Sequence, residues 1–255
     1  MHNTDPNVCP RVGHTGTTPT THIQLRTIFI FSTLILSTYL VLQLLTTFIA
    51  VTIMNLSPEE NMGDLVALGV TFSAIPSTAL VILISNRLKK IKFQDWLGLV
   101  PVRATTLLGW TVCAYGLLLL GDFITLELGR PPLPPIMRVM SETTRFYNLL
   151  LFGLVIAAPI FEEVFFRGFL FTGLRQKKLG PSGTIIITTL LWTILHITQY
   201  DLYYLTIVCL IGILLGVARE HSGSIYIPLA IHILNNLLGS LQMSEAKITS
   251  ILTLI

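Results

Sequence analysis

Charge is what this chain has least of. Only 11% of its 255 residues are Asp, Glu, Lys or Arg, while 52% are hydrophobic; soluble domains carry about 25% charged residues. That balance excludes a soluble globular domain and implies an all-α, polytopic membrane protein. The net charge is a small +3, and no basic patch interleaves with aromatic residues, so nucleic acid is not an expected partner. Cysteine is scarce as well. Cys9, Cys113 and Cys209 are far apart and lack CxxC spacing, which indicates neither a disulfide framework nor a zinc cluster. Cys113 and Cys209 fall in predicted spans and read as small core residues. No repeat with a period of about 20–50 residues is present, and no linker splits the chain.

What is present is a series of apolar runs. Residues 1–25 precede them, polar and rich in Thr, Pro, Asn and His, and read as a disordered cytoplasmic tail. The run from Thr27 to Met54 is longer than the apolar stretch of a cleaved signal peptide and is predicted to be the first membrane helix. Further spans are predicted at Leu65–Ser85, with Pro76 as a kink, then Thr105–Leu126, Phe146–Phe171, Thr184–Thr198, Leu202–Ala218 and Ile225–Leu241. The earlier ones meet the requirement of about 20 apolar residues for a hydrocarbon core. The last three are short, with brief links, and predict a compact bundle. The apolar ending, Ile248–Ile255, is about half a span, so the count is seven to eight. Arg130–Pro135 is too stiff and donor-poor for a helix interior and reads as a connector. Residues 26–255 are thus expected to form one membrane domain, with its chemistry within about 146–241.

Orientation follows from the basic residues. Arg87, Lys89, Lys90, Lys92 and Arg103 follow the second span, and Arg175, Lys177 and Lys178 the fourth. The positive-inside rule places these links, and the N-terminus with them, in the cytoplasm. Arg130, Arg138 and Arg145 after the third span are a weaker opposing signal.

The fourth span holds residues that do not belong in hydrocarbon: Glu162, Glu163 and Arg167. An ionised side chain at the centre of a bilayer helix costs roughly 2.5–3.5 kcal/mol, so three in one run require a polar, protein-enclosed site. Glu163 and Arg167 stand at i and i+4 with the acid first, the favoured order for a same-face ion pair. That pair by itself is equally well a helix staple. Glu162 points about 100° away from Glu163, with Ala158 and Phe166 at its i−4 and i+4 positions. A carboxyl in apolar surroundings without a countercharge titrates high, which suits a general base. Two later spans bring imidazoles to similar depth. His196 ends Trp192-Thr-Ile-Leu-His196, and His232 shares a helix face with Asn236 in His232-Ile-Leu-Asn-Asn236. One buried histidine is most simply a hydrogen-bonded core residue; two with an amide and an unpaired acid point to one shared site. Asn235 faces elsewhere and reads as structural. Gly212 and Gly216 form a GxxxG, read as close packing within the bundle. Arg219, Glu220 and His221 read as interfacial charges.

These residues carry a resemblance. Glu162-Glu163-Val-Phe-Phe-Arg167-Gly168 resembles the EExxxR signature of the CAAX protease and bacteriocin-processing family of intramembrane proteases. His196 matches the histidine of its second motif, with Trp192 where the family usually has Phe. Gly216-Val-Ala-Arg219, Gly223-Ser224-Ile-Tyr226-Ile-Pro228, His232 and Asn236 match its third. The likeness covers roughly Phe146 to Leu241 and rests on three motifs in the right order. It implies a membrane endopeptidase related to the type II CAAX prenyl endopeptidases. In that reading Glu162 activates the attacking water, His196 holds it, and His232 and Asn236 donate to the developing oxyanion. Glu163 and Arg167 support the helix and the pose of Glu162.

Two histidines and a glutamate also suit a zinc site with an open position. There is no HExxH, however, and the histidines lie on different spans, so the resemblance favours a glutamate mechanism with no cofactor. The expected partners are membrane lipids and a membrane-associated peptide or protein, lipidated or not. Short links point to a bacterial or archaeal plasma membrane. Two alternatives use the same residues: a proton-coupled transporter, since buried Glu and His make proton relays, and a non-catalytic scaffold or bacteriocin self-immunity member. No matching halves of the kind transporters show are visible.

Overall fold

Only a helix or a closed barrel satisfies every backbone N–H and C=O inside hydrocarbon, and this chain's long apolar runs become helices. The structure, a computed structural model, describes residues 23–88 and 92–252. The proposed tail up to residue 22 with Cys9, the linker lysines Lys89 and Lys90, and residues 253–255 lie outside the described residues. In chain order the helices are α1 (Leu25–Thr52), α2 (Met62–Arg87), the short α3 (Phe93–Leu97), α4 (Ala104–Glu127), the short α5 (Pro135–Glu142), α6 (Tyr147–Arg175), α7 (Gly180–Ile194), α8 (Leu202–Ser222) and α9 (Tyr226–Leu252). The architecture is an all-α bundle.

Five of these helices, α1, α2, α4, α6 and α8, are long and apolar enough to cross a membrane. α7 is apolar but has 15 residues. α9 has 27, and His232, Asn235, Asn236 and Gln242 dilute its apolar character. The separate seventh and eighth segments expected at Ile225–Leu241 and Ile248–Ile255 are instead one helix through Leu252. No Gly or Pro lies between Leu241 and Ile248 to stop it. α2 runs through Pro76 as a single helix. The prolines after Arg130 stay outside a helix interior as expected, and Pro135 opens α5, where a missing N–H costs nothing.

α6 is the axis of the molecule. Of its most apolar stretch 61% is buried, against 6% for α4, which lies on the outside. Phe161, Phe165, Phe166 and Phe169 of α6 are fully buried together with Trp96 of α3. Cys113 is exposed on α4 and Cys209 half-buried on α8, so neither is the core residue expected. The α8 glycines work as expected: a Cβ on Gly212 would meet Thr189 and Trp192 within 2.9–3.0 Å, and one on Gly216 would meet Ile185 at 2.9 Å. Their absence lets α7 press against α8.

Asp64, in the first turn of α2, fixes where α6 starts. Its Oδ1 accepts from Arg145 N (2.7 Å), Phe146 N (3.1 Å) and Thr144 Oγ1 (3.0 Å). Oδ2 takes Arg145 Nε at 2.8 Å. Of these donors, Phe146 N–H is one that a helix N-terminus leaves unpaired, and here another helix caps it. Beyond this start α6 is not a regular α-helix. Two stretches, Gly153–Ala157 and Glu163–Leu170, are π-helical, with one α turn, Ala158–Glu162, between them.

Candidate active site

Both carboxylates of α6 reach one imidazole. The expected angular separation of Glu162 and Glu163 does not part them, because the two nitrogens of one ring face one carboxylate each. His232 of α9 places Nδ1 2.9 Å from Glu163 Oε1 and Nε2 3.8 Å from Glu162 Oε2. A carboxylate only accepts, so the assigned tautomer has the proton on Nδ1, and Nε2 is turned towards Glu162. Glu163 Oε1 also accepts from Arg167 Nη1 at 2.9 Å, the i, i+4 pair the spacing predicts, with both side chains fully buried. Arg167 then donates from Nη2 to Gly212 O at 3.3 Å, and its guanidinium lies 4.8 Å above the Trp192 ring. Glu163 is therefore more than a helix staple, since it orients the histidine that faces Glu162.

Trp192 is the residue that sequence reasoning undervalued. Its Nε1–H donates to Glu162 Oε2. Its ring meets His196 edge-on at 4.9 Å and His232 at 5.5 Å. The signal was in the sequence, as an indole in place of Phe: Phe would keep the ring contacts and lack the donor.

His196 stands differently from expectation. α7 ends at Ile194, and the chain tightens into turns in which Leu195, His196 and Ile197 bond back three residues. β-branched Ile197 and Thr198 follow, poor residues for extending a helix. His196 therefore sits past the helix rather than within a span. Its Nδ1 donates to Trp192 O at 3.0 Å, which leaves Nε2 as the acceptor nitrogen of the neutral ring. Its hydrogen bond to Trp192 and the ring contact tie it to the site; it makes no direct bond to Glu162.

Two tyrosines that no spacing argument singled out complete the surroundings. Tyr200, in the turn leading to α8, stacks on His196 at 6.1 Å. Burial first, and the charge of Glu162 second, push its phenol up to about 12, so it remains a neutral donor. Tyr39 of α1 stacks at 4.4 Å on Phe161, within electrostatic reach of Glu162.

Asn236 lies one turn from His232 on the same face of α9. Its Nδ2 donates to Leu154 O of α6 at 2.8 Å, and its Oδ1 accepts from Asn235 Nδ2 at 2.9 Å. These bonds go to α6 backbone and to a neighbour, not to the carboxylates. Arg219 also departs from expectation: it is buried, while its neighbour Glu220 pairs with Arg175 at 2.8 Å. Among the described residues no three or more His, Cys, Asp or Glu side chains converge as metal ligands. An apolar groove of about 270 Å³ runs between α2 and α6, past Ile75, Ile82, Phe152, Ile156 and Ile160. Ile160 is two residues before Glu162, but none of the polar site residues lines the groove.

With this geometry in place, known proteins can be compared. Residues 144–238 match the family model described as "Type II CAAX prenyl endopeptidase Rce1-like". An uncharacterized 24.3 kDa protein of Escherichia coli is 26% identical over 155 residues, covering 58% of this chain and 71% of the relative. No solved structure matches the chain significantly. The family match spans α6 to α9 up to Leu238 and includes every polar residue of the site except Tyr39. Together with the five apolar helices it makes the chain an integral membrane protein.

Proposed function

We propose, from the match of residues 144–238 to the Rce1-like family model, that this protein hydrolyses a peptide bond by glutamate-activated water. The match of residues 144–238 to a type II CAAX prenyl endopeptidase model supports an intramembrane protease as the coarser reading. The observation that carries the finer reading is His232 bridging the two acids, at 2.9 Å from Glu163 and 3.8 Å from Glu162. Glu163 holds the imidazole so that Nε2 faces the base. A water oxygen at an ordinary hydrogen-bonding distance of about 2.8 Å from both Nε2 and Glu162 Oε2 spans that gap.

In the step this supports, Glu162 takes a proton from the water as its oxygen attacks the scissile carbonyl carbon. The C–N bond then breaks, and Glu162 returns the proton to the leaving amine. His196 helps hold the water through its Nε2, Nδ1 being engaged on Trp192 O. The oxyanion takes hydrogen bonds from His232, which enters the step with an Nε2 proton taken from solvent and keeps it throughout, and from the second Nδ2 hydrogen of Asn236, the first being engaged on Leu154 O. A preorganised donor of this kind is worth about 2.7–4 kcal/mol. Trp192 steadies the base through the same oxygen, Oε2. No metal takes part in this scheme.

The substrate class is a membrane-associated peptide bearing a lipid. The apolar α2–α6 groove beside Ile160 supports that choice, since a prenyl chain needs such a surface. A bacterial or archaeal plasma membrane is the proposed location. The test uses purified full-length protein in liposomes, a farnesylated CAAX-type peptide and the same peptide without lipid. Cleavage of the farnesylated peptide, lost in Glu162→Ala and His196→Ala and unaffected by a strong chelator, is the expected result. Unchanged activity in Glu162→Ala removes the base; equal cleavage of the bare peptide removes the lipid.

A further inference from the structure

Each π segment of α6 leaves one backbone carbonyl behind, and each such carbonyl is held by a side chain from another helix. In the first segment Ala158 N–H bonds to Gly153 O, so the i+4 donor for Leu154 O is taken. The i+5 residue is Pro159, which has no N–H. Leu154 O accepts instead from Asn236 Nδ2 at 2.8 Å. In the second segment Phe171 N–H reaches Phe166 O and Gly168 O, passing over Arg167 O. That carbonyl accepts from Arg219 Nε, again at 2.8 Å.

The setting of Arg219 is unusual for a surface cation. It is 8% exposed at the end of α8, and Glu220 is paired with Arg175 rather than with it. Its hydrogen bonds go to α6: Nε to Arg167 O and, more loosely, Nη2 to Thr172 Oγ1 at 3.4 Å. The guanidinium lies 5.4 Å over the Phe171 ring. From the other side it is pressed by Gly98, where a Cβ would come within 2.4 Å of Nη2, and where φ is +70°. Only glycine leaves the guanidinium its place there.

A single residue inserted into a regular α-helix turns everything beyond it by about 100°. The two wide segments lie on either side of the turn that ends in Glu162. Losing the first would swing Glu162 and Glu163 away from His232. Losing the second would turn Arg167 and the residues beyond it relative to Trp192 and Gly212. We propose that Arg219 is a positioning residue: by holding Arg167 O it locks Glu163–Leu170 in the π register. Asn236 does the same for Gly153–Ala157 through Leu154 O. Together they set the angle at which Glu162, Glu163 and Arg167 meet Trp192 and His232. This holds whatever reaction the site performs.

The test therefore needs no substrate. The full chain, labelled with 5-fluorotryptophan in detergent micelles, gives one 19F resonance for each of Trp96, Trp110 and Trp192, with Trp192 assigned by its loss in Trp192→Phe. Trp192 touches both Glu162 and Arg167, so its resonance reports the register. Glu162→Ala sets the displacement produced by losing the indole–carboxylate contact. Arg219→Gln is expected to displace the Trp192 resonance by a comparable amount while far-UV circular dichroism keeps its helical signal. Arg219→Lys, which retains a donor able to reach the carbonyl, should restore most of the parent position. A Trp192 resonance unmoved in folded Arg219→Gln overturns the proposal, because loss of a merely supporting charge would lower stability and leave this contact alone. Should Arg219→Gln fail to fold, Gly98→Ala displaces the guanidinium from the other side and is read with the same two outcomes.

Discussion

Two buried acids serve the same helix in different ways. Asp64 is fully buried and accepts four hydrogen bonds, shared between both of its oxygens. Glu163, deeper along α6 and equally buried, puts Arg167 and His232 on Oε1 alone. Its Oε2 and Arg167 Nε have no partner among the described residues. Buried polar atoms are nearly always satisfied, so the contrast separates a cap from a site. The saturated acid fixes where α6 begins. The other keeps unused polar capacity next to a histidine and a second carboxylate, which is what a centre that handles charge requires.

The largest way to sharpen this contrast is to remove Glu162, the proposed base beside the under-satisfied acid. Glu162→Ala should lower cleavage of the farnesylated peptide by about 10²–10⁴-fold, the usual worth of general base catalysis, with little change in thermal midpoint. Residual activity within a few-fold of the parent would show that the base lies elsewhere. Next comes stability. Glu163→Ala leaves Arg167 buried without its counter-ion and should cost about 3–5 kcal/mol, read by denaturant unfolding in micelles. Asp64→Asn keeps an acceptor but loses the charged bonds and should cost about 1–3 kcal/mol. Only the Asp64 variant should keep kcat once folded. If Asp64→Asn lowered kcat as far as Glu163→Ala, the division between cap and site would collapse.

A smaller effect is expected at Trp192. Trp192→Phe keeps the ring and deletes the donor to Glu162; a hydrogen bond to a charged group is worth about 1.5–3 kcal/mol. That corresponds to about 10–100-fold in kcat, with KM nearly constant. A raised KM at unchanged kcat would instead make the indole a substrate contact. The smallest effect lies far from the site. Arg130 beside Asp201, followed by the backbone N–H of Tyr204, holds the Asp201 carboxyl below its ordinary value. Such a group adds stability above the ordinary carboxylate range, and the contribution fades as pH falls through the lowered value. Asp201→Asn should flatten that acid limb in thermal unfolding against pH without touching catalysis. An unaltered limb would assign the acid sensitivity to another carboxylate.

Much of this was legible from residue order. Runs near Thr27–Met54, Leu65–Ser85, Thr105–Leu126 and Phe146–Phe171 became helices within a few residues of their expected ends, because apolar length in hydrocarbon leaves no other choice. The Glu163–Arg167 pair followed from i, i+4 spacing, which survives the change of register. The end of α7 was misjudged, because an apolar run does not reveal that its last turns bond to i−3 and carry His196 off the helix. Asp64 drew no notice: a carboxylate in the first turn of a helix usually caps its own helix, and nothing local shows that it caps another. The π segments were invisible for a similar reason, since partners far along the chain hold the carbonyls that they release.

Composition by itself determined that this is a membrane helix bundle, and three short motifs singled out the residues proposed to carry its chemistry, since each rests on apolar length or on residue types at close spacing. Only tertiary structure decided that one imidazole serves both glutamates, that an indole rather than a countercharge meets Glu162, and that α6 holds two wide turns. The physical reason is one of range. Hydrophobic length acts within a segment, whereas a buried donor must find its acceptor wherever packing brings one.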